Sequence, residues 1–361
     1  MAFISFQPKD YFKTKLYTGS GSAQALTGVG FTPDWVWTKN RSYADNHKIV
    51  DKVRWVSSSN SSQLSSSTAN AAGTQGIITS FDADGYTLST GDRGWNSSNG
   101  DNFVSWNWKA ANSTGSSNTD GSITSTVSTT ASTGFSIVKF TGTGANATVG
   151  HGLSTAPRMI MIKNCSQSAN WIVYHKSLTS ATYRISLDTT STEASDSTAF
   201  NSTAPTSSVF SVGTSFRSNG SGNTLIAYCF ADTNGFIKCG KYMGNSTTNG
   251  AFAYTGFKPA FVLLKGINIS TSYGEWSIFD NKRPTVNSVS YDINPMSTVL
   301  WSNTSNTESE IGSAEKIQFH SNGFKMKAND ARTNSGNEGY LYLAMAAEPF
   351  VASNGDIATA R

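Results

Sequence analysis

The chain has 361 residues, enough for two or three ordinary domains and for a sizeable core. Ser, Thr, Asn and Gly supply 44% of it and charged residues only 14%, yet aromatic residues reach 12%, far more apolar area than a disordered chain carries. A net charge of +4, spread along the chain, is too weak for a polyanion partner, so no nucleic acid is expected.

Charged helix formers are scarce, while β-branched, aromatic and small turn residues are abundant, so the expected class is all-β. Cys165, Cys229 and Cys239 make neither a disulfide framework nor a zinc quartet and are read as small buried residues. Met1 to Phe6 has no basic, apolar leader pattern, and no apolar run approaches 18 residues. The expectation is a soluble protein without membrane insertion.

In chain order, residues 1–11 form an N-terminal segment read as an anchor. The first unit, 12–112, runs from Phe12 through the turn Gly19-Ser20-Gly21 to Pro33, the strand Trp35-Val36-Trp37 and Lys39. It then passes the Ser-rich tract Ser57–Gly73, read as a surface loop, and the hairpin around Asp84-Gly85, and closes on Phe103–Trp108. Residues 113–132 are a Ser/Thr/Gly-rich linker able to pair as an edge strand. The second unit, 133–233, repeats the order: Phe135, Gly142-Thr143-Gly144, Pro157, Met159–Ile162, Lys163, a loop over Ser191–Ser208, and a closing strand Leu225–Phe230. The third, 234–350, repeats it again with Phe236, Gly244, Pro259, Phe261–Leu264, Lys265, the hairpin at Asn322-Gly323 and Tyr340–Met345. Residues 351–361 are a C-terminal tail. A unit of roughly 100 to 120 residues built from short alternating strands has the size of a β-sandwich, so three tandem β-sandwich-like modules of jelly-roll or lectin-like type are expected. The period of two puts Trp35 with Trp37, and Trp106 with Trp108, on one strand face each, read as core.

Catalytic patterns are weak. His47, His151, His175 and His320 share no ligand spacing, and neither HExxH nor GxSxG occurs, so no cofactor, no metal and no catalytic residue is expected. Asp82-x-Asp84-Gly85 imitates the start of a calcium loop without its remaining ligands. Asp92 and Asp101 beside Trp95 are the pair a glycosidase would use, though solvated loop acids fit them better. The Gly-x-Gly pairs precede strands rather than helices and read as turn glycines, not phosphate loops. For recognition, the candidates are aromatics on non-repeated loops that could stack on sugar rings: Tyr43, Trp95, Trp171 and Tyr273.

The stretch Asp120-Gly121-Ser122-Ile123-Thr124, leading into Thr133–Gly142 and Val149-Gly150-His151-Gly152-Leu153, resembles repeats in tail-fibre-like structural proteins of marine and environmental tailed bacteriophages. The end, Ala344–Gly355 and Ile357–Arg361, is similar to the way such chains finish. The resemblance implies a non-enzymatic virion component, a tail fibre or tail-tip protein assembled in the host cytoplasm. Its implied partners are other virion proteins, further copies of itself, as in a homotrimer, and a host-surface glycan or outer-membrane receptor. The alternatives are a capsid decoration or head-fibre protein and, less favoured, a polysaccharide depolymerase.

Overall fold

The computed structural model describes residues 6–91, 93–97, 99–269, 273–283, 296–310, 316–346, 350–351 and 357–358. The fold is all-β. Unit 1 contributes β1 (Phe12–Thr18), β2 (Gln24–Leu26), β3 (Trp35–Asn40), β4 (Lys48–Asp51), β5 (Ile78–Asp82), β6 (Gly85–Leu88) and β7 (Asn102–Trp108). The linker holds β8 (Ser116–Asn118) and β9 (Ser125–Thr130), and unit 2 follows with β10 (Phe135–Thr141), β11 (Ala147–Gly150), β12 (Met159–Asn164), β13 (Ile172–His175), β14 (Tyr183–Arg184), β15 (Ala194–Ser195), β16 (Val209–Val212), the single turn α1 (Phe216–Asn219) and β17 (Thr224–Phe230). Unit 3 contains β18 (Ile237–Met243), β19 (Phe252–Tyr254), β20 (Phe261–Gly266), β21 (Ser277–Asp280), β22 (Thr298–Trp301), β23 (Ser309–Glu310), β24 (Ile317–His320), β25 (Gly323–Met326) and β26 (Gly339–Met345), after which β27 (Phe350–Val351) pairs with β28 (Ile357–Ala358).

One antiparallel order recurs in the three main sheets: β1-β7-β3-β4, β10-β17-β12-β13 and β18-β26-β20-β21. The registers coincide as well. Phe12, Trp108 and Trp35 stand side by side, as do Phe135, Phe230 and Met159, and Ile237, Met345 and Phe261. Positions in the three units can therefore be equated residue by residue. A smaller sheet lies on the outer face of each main one: β2-β6-β5, β11-β16 and β19-β25-β24. The repeated prolines, Pro33, Pro157 and Pro259, each stand two residues ahead of the strand they introduce.

The inner faces of the three main sheets meet in a common interior. Period two sends Trp35, Trp37, Trp106 and Trp108 to the inner face, while Val36, Val50, Tyr17 and Phe103 pack outward on Leu26, Tyr86 and Leu88. Trp35 stacks on Tyr228 of unit 2 at 4.4 Å, and Trp106 and Trp108 each meet Phe261 of unit 3 edge-on at 5.8 Å. The four tryptophans are core, as expected, but the core they fill belongs to all three units at once.

The linker is built into the fold. Its β9 runs in register along β10 and β8 pairs with β9, widening the unit 2 sheet by two strands. Ile123 and Val127 are buried against Val138 and Val149. At the other end, Phe6 packs edge-to-face on Tyr11 and on Phe236 of unit 3, so residues 6–11 of the expected anchor lie down on the body; residues 1–5 fall outside the described residues.

The hairpin at Asp84-Gly85 has the positive φ that an Asp-Gly turn suggests, +143° at Gly85, and a second constraint acts on both hairpin glycines. The two-residue turns are Ala83-Asp84 and Ser321-Asn322, and Gly85 and Gly323 begin the return strands. A Cβ at Gly85 would lie 1.9 Å from the Leu26 carbonyl oxygen, and one at Gly323 2.2 Å from that of Ala253. Close approach of the neighbouring strand demands glycine at both positions.

Candidate functional site

Two of the four proposed recognition aromatics are interior. Trp171 is fully buried, its indole N–H donating to the Ser65 carbonyl at 2.8 Å, and Trp95 is 5% exposed within the outer core of unit 1. Neither offers a ring face to a ligand, which corrects the expectation for both: each follows an apolar-poor loop in sequence, but each loop folds inward. Tyr43 and Tyr273 are exposed, at 41% and 46%. The Arg93 guanidinium sits 3.9 Å from the Tyr43 ring centre and that of Arg332 4.8 Å from Tyr273. Asp101 accepts from the Asn40 amide at 2.9 Å, and Asp92 lies outside the described residues.

The ionisable groups of the interior form a ring of braces between units. Lys39, Lys163 and Lys265 occupy one equivalent position at the ends of β3, β12 and β20, and all three are fully buried. The Lys39 ammonium donates to the Ser305 carbonyl of unit 3 at 3.2 Å, Lys163 to Ala69 of unit 1 at 2.7 Å, and Lys265 to Thr190 of unit 2 at 3.0 Å. Each also holds a carbonyl of its own unit: Asn40, Ala169 and Gly274 respectively. Burial lowers these amines from the usual lysine range to about 8, about 8 and about 7.

A second ring repeats the direction. His47, Trp171 and Trp276, cross-strand from those lysines, reach the carbonyls of Trp301 in unit 3, Ser65 in unit 1 and Ser186 in unit 2 at 2.8 to 2.9 Å. A third runs the opposite way. Asp51 accepts from the Tyr228 hydroxyl of unit 2 at 2.7 Å, Asp280 accepts from the Trp106 indole of unit 1 at 3.0 Å, and His175, in the same position of unit 2, faces the Tyr342 carbonyl of unit 3 at 3.3 Å. Arg54 and Arg283, three residues after the two aspartates, pair with them. The Ser57–Gly73 tract, expected as a surface loop, thus carries Ser65 and Ala69 as docking points and buries Ser61 and Ser66 completely.

Three buried asparagines do equivalent work at the outer turns. Asn96, Asn219 and Asn334 each accept from the backbone N–H of the residue after the first glycine of the turn (Ser20, Thr143, Asn245) and donate to two or more carbonyls around it. The Gly-x-Gly elements are turns, as the sequence suggests. The asparagines that hold them were hidden among 30 of their kind.

Between units 1 and 2 a cleft of about 430 Å³ is lined by residues that include Ser62, Thr124, Thr126, Cys165, Lys139 and Arg54. Arg54 is committed to Asp51 and to the Ser62 carbonyl, and Lys139 donates to the Val53 carbonyl at 3.3 Å. Burial raises the Cys165 thiol in its wall, which keeps the sulfur protonated. Cys165, Cys229 and Cys239 are all free and buried. Among the described residues no three His, Cys, Asp or Glu gather as a metal site, and no helix is long and apolar enough to cross a membrane.

The outward surface carries aromatics the sequence reading passed over. Phe252 and Tyr254 on β19 are 44% and 64% exposed.

A family model described as a domain of unknown function (DUF7483) matches residues 7–349, and the chain belongs to that family. Comparison with curated proteins and with solved structures gives no match.

Proposed function

We propose that this chain is a non-catalytic structural protein of a tailed-phage particle, a tail fibre or tail-tip component that attaches to the virion and meets glycan on the host surface. The observation that carries the reading is the use made of the interior ionisable groups: Lys39, Lys163, Lys265, His47, His175, Asp51 and Asp280 are all occupied in bracing one unit against another. Such a body is a rigid scaffold, and what it presents to a partner is its outside. The chain as a whole is low in charge and rich in hydroxyl and amide groups, and many of its Ser, Thr and Asn residues are exposed, chemistry suited to sugar hydroxyls and to packing against copies or other virion proteins. The motif resemblance to tail-fibre-like proteins supports the same reading.

The test is to label purified virions with an antibody against the chain and to count copies per particle. Signal at the tail in multiples of three or six is expected. Signal spread over the head, or none on the particle, overturns the assignment.

A further inference from the structure

We infer that the outer face of β19 in unit 3 is a stacking site for the rings of a saccharide chain, with Phe252 and Tyr254 as its platform. The inference rests on the glycan-contact reading above and assigns it a place.

Phe252 and Tyr254 flank Ala253, which is 5% exposed, so by the period of two both rings leave the same face of the strand, about 7 Å apart. The fold does not require them. Register equates Phe252 with Ala25 of unit 1 and Thr148 of unit 2, and places Tyr254 opposite Thr27 and Gly150. The same scaffold is thus built twice with small residues at these positions. In unit 2 the site is taken by the chain itself, where the Ser122 N–H donates to the Thr148 hydroxyl at 2.9 Å. Holding two aromatic rings in water forgoes the stabilisation their burial would bring, so folding alone gives no reason for them.

The rings are also held in place. A Cβ on Gly323 would lie 2.7 Å from Phe252 Cζ, so the Phe252 ring lies across the bare backbone of β25, with His320 edge-on at 5.8 Å. The Tyr254 ring lies beside Gly256, its hydroxyl at ordinary contact distance, 3.7 Å, from where a Cβ would stand, and φ +82° favours glycine there. The Phe252 ring face, fixed in this way, binds at low entropic cost.

The surroundings select the occupant. Asn249, Ser321 and Asn322 are exposed around the pair, and Lys325, directly opposite Phe252, has its ammonium bound to the Asn249 side chain. Two ring faces framed by amide, hydroxyl and ammonium groups match a sugar ring, whose C–H face is apolar and whose rim is hydroxyl. The patch is far smaller than the roughly 800 Å² per partner of a stable protein–protein interface.

The experiment uses the full chain on an array of bacterial surface polysaccharides, followed by titration of the best-retained glycan against wild type, the double variant Phe252→Ala/Tyr254→Ala, and Tyr43→Ala. A loss of about tenfold or more in the double variant only, at unchanged melting temperature, is expected. Equal binding by the double variant, or no glycan retained by the wild type, overturns the site. Glycan binding through these rings by a chain absent from virions would overturn the particle assignment alone, whereas tail labelling without glycan binding would overturn this inference and the glycan contact it rests on, and leave the particle assignment standing.

Discussion

Lys39, Lys163 and Lys265 are the residues on which the three units turn, and their protonation ties the assembly to pH. Their folded pKa values, about 8, 8 and 7, lie below the usual lysine value near 10.5. Between those limits the unfolded chain binds more protons than the folded one, so their contribution to stability grows as pH rises from about 7 to about 10. Lys265→Met removes one such group. The gap in melting temperature between wild type and Lys265→Met is expected to move in favour of wild type over that range; a gap that stays constant with pH would show that the amine is charged in the fold. His175 behaves as a neutral group: its Nδ1 accepts from the Ser177 N–H while Nε2–H points at the Tyr342 carbonyl, and burial lowers its pKa to about 4. His47 is also neutral, accepting from the Trp37 indole, its pKa held well below the usual histidine value chiefly by burial, next by Lys39. The unfolded chain takes up protons first as pH falls below about 6.5, so the stabilisation from both groups is complete above that value and falls below it, that of His175 being lost on the way down to about pH 4. Denaturant midpoints should fall across this window, with a shallower fall in His175→Gln. The sequence made the three lysines visible as a repeated residue after an apolar strand. It could not show that they are buried, because the carbonyls that satisfy them come from loops of another unit.

At the scale of elements, the repeat of glycine turn, proline, apolar strand and lysine was legible, and the strands it marks are the ones that form. What escaped was the side each strand turns to its neighbours. Trp171 precedes β13 in a loop-like context, and only the docking of the unit 1 loop on unit 2 makes it core. The linker was legible as able to pair as an edge strand because Ile123 and Val127 stand out in it, and both are buried, with Ser125 and Ser128 of β9 buried beside them. The turns offer a sharp test. A Cβ on Gly142 would lie 2.3 Å from the Gly220 carbonyl oxygen, backbone that cannot give way, whereas Gly222, with φ +71°, has open space around it. Gly222→Ala is expected to cost about 1 to 2 kcal/mol for its left-handed backbone, and Gly142→Ala more than that, since strain must move two main chains. Urea unfolding of the two variants measures the order; equal losses would mean that the turn is free to shift.

At the scale of the whole molecule, three sequence units make one body. Trp35 touches unit 2 and Trp106 touches unit 3, the three rings of hydrogen bonds close on themselves, and Arg41 of unit 1 joins Glu308 of unit 3 at 2.6 Å. No unit can leave without opening the common core and stranding buried carbonyls, at about 1 to 3 kcal/mol for each group left unsatisfied. Period-two patterning identifies core positions but is silent on which sheet lies across from them, so the repeats were readable and their closure was not. The most direct test is scanning calorimetry of the full chain near neutral pH. A single transition with calorimetric and van't Hoff enthalpies in agreement is the expected result. Two or three separable transitions, with units melting independently, would contradict the shared interior and the rigid scaffold built on it.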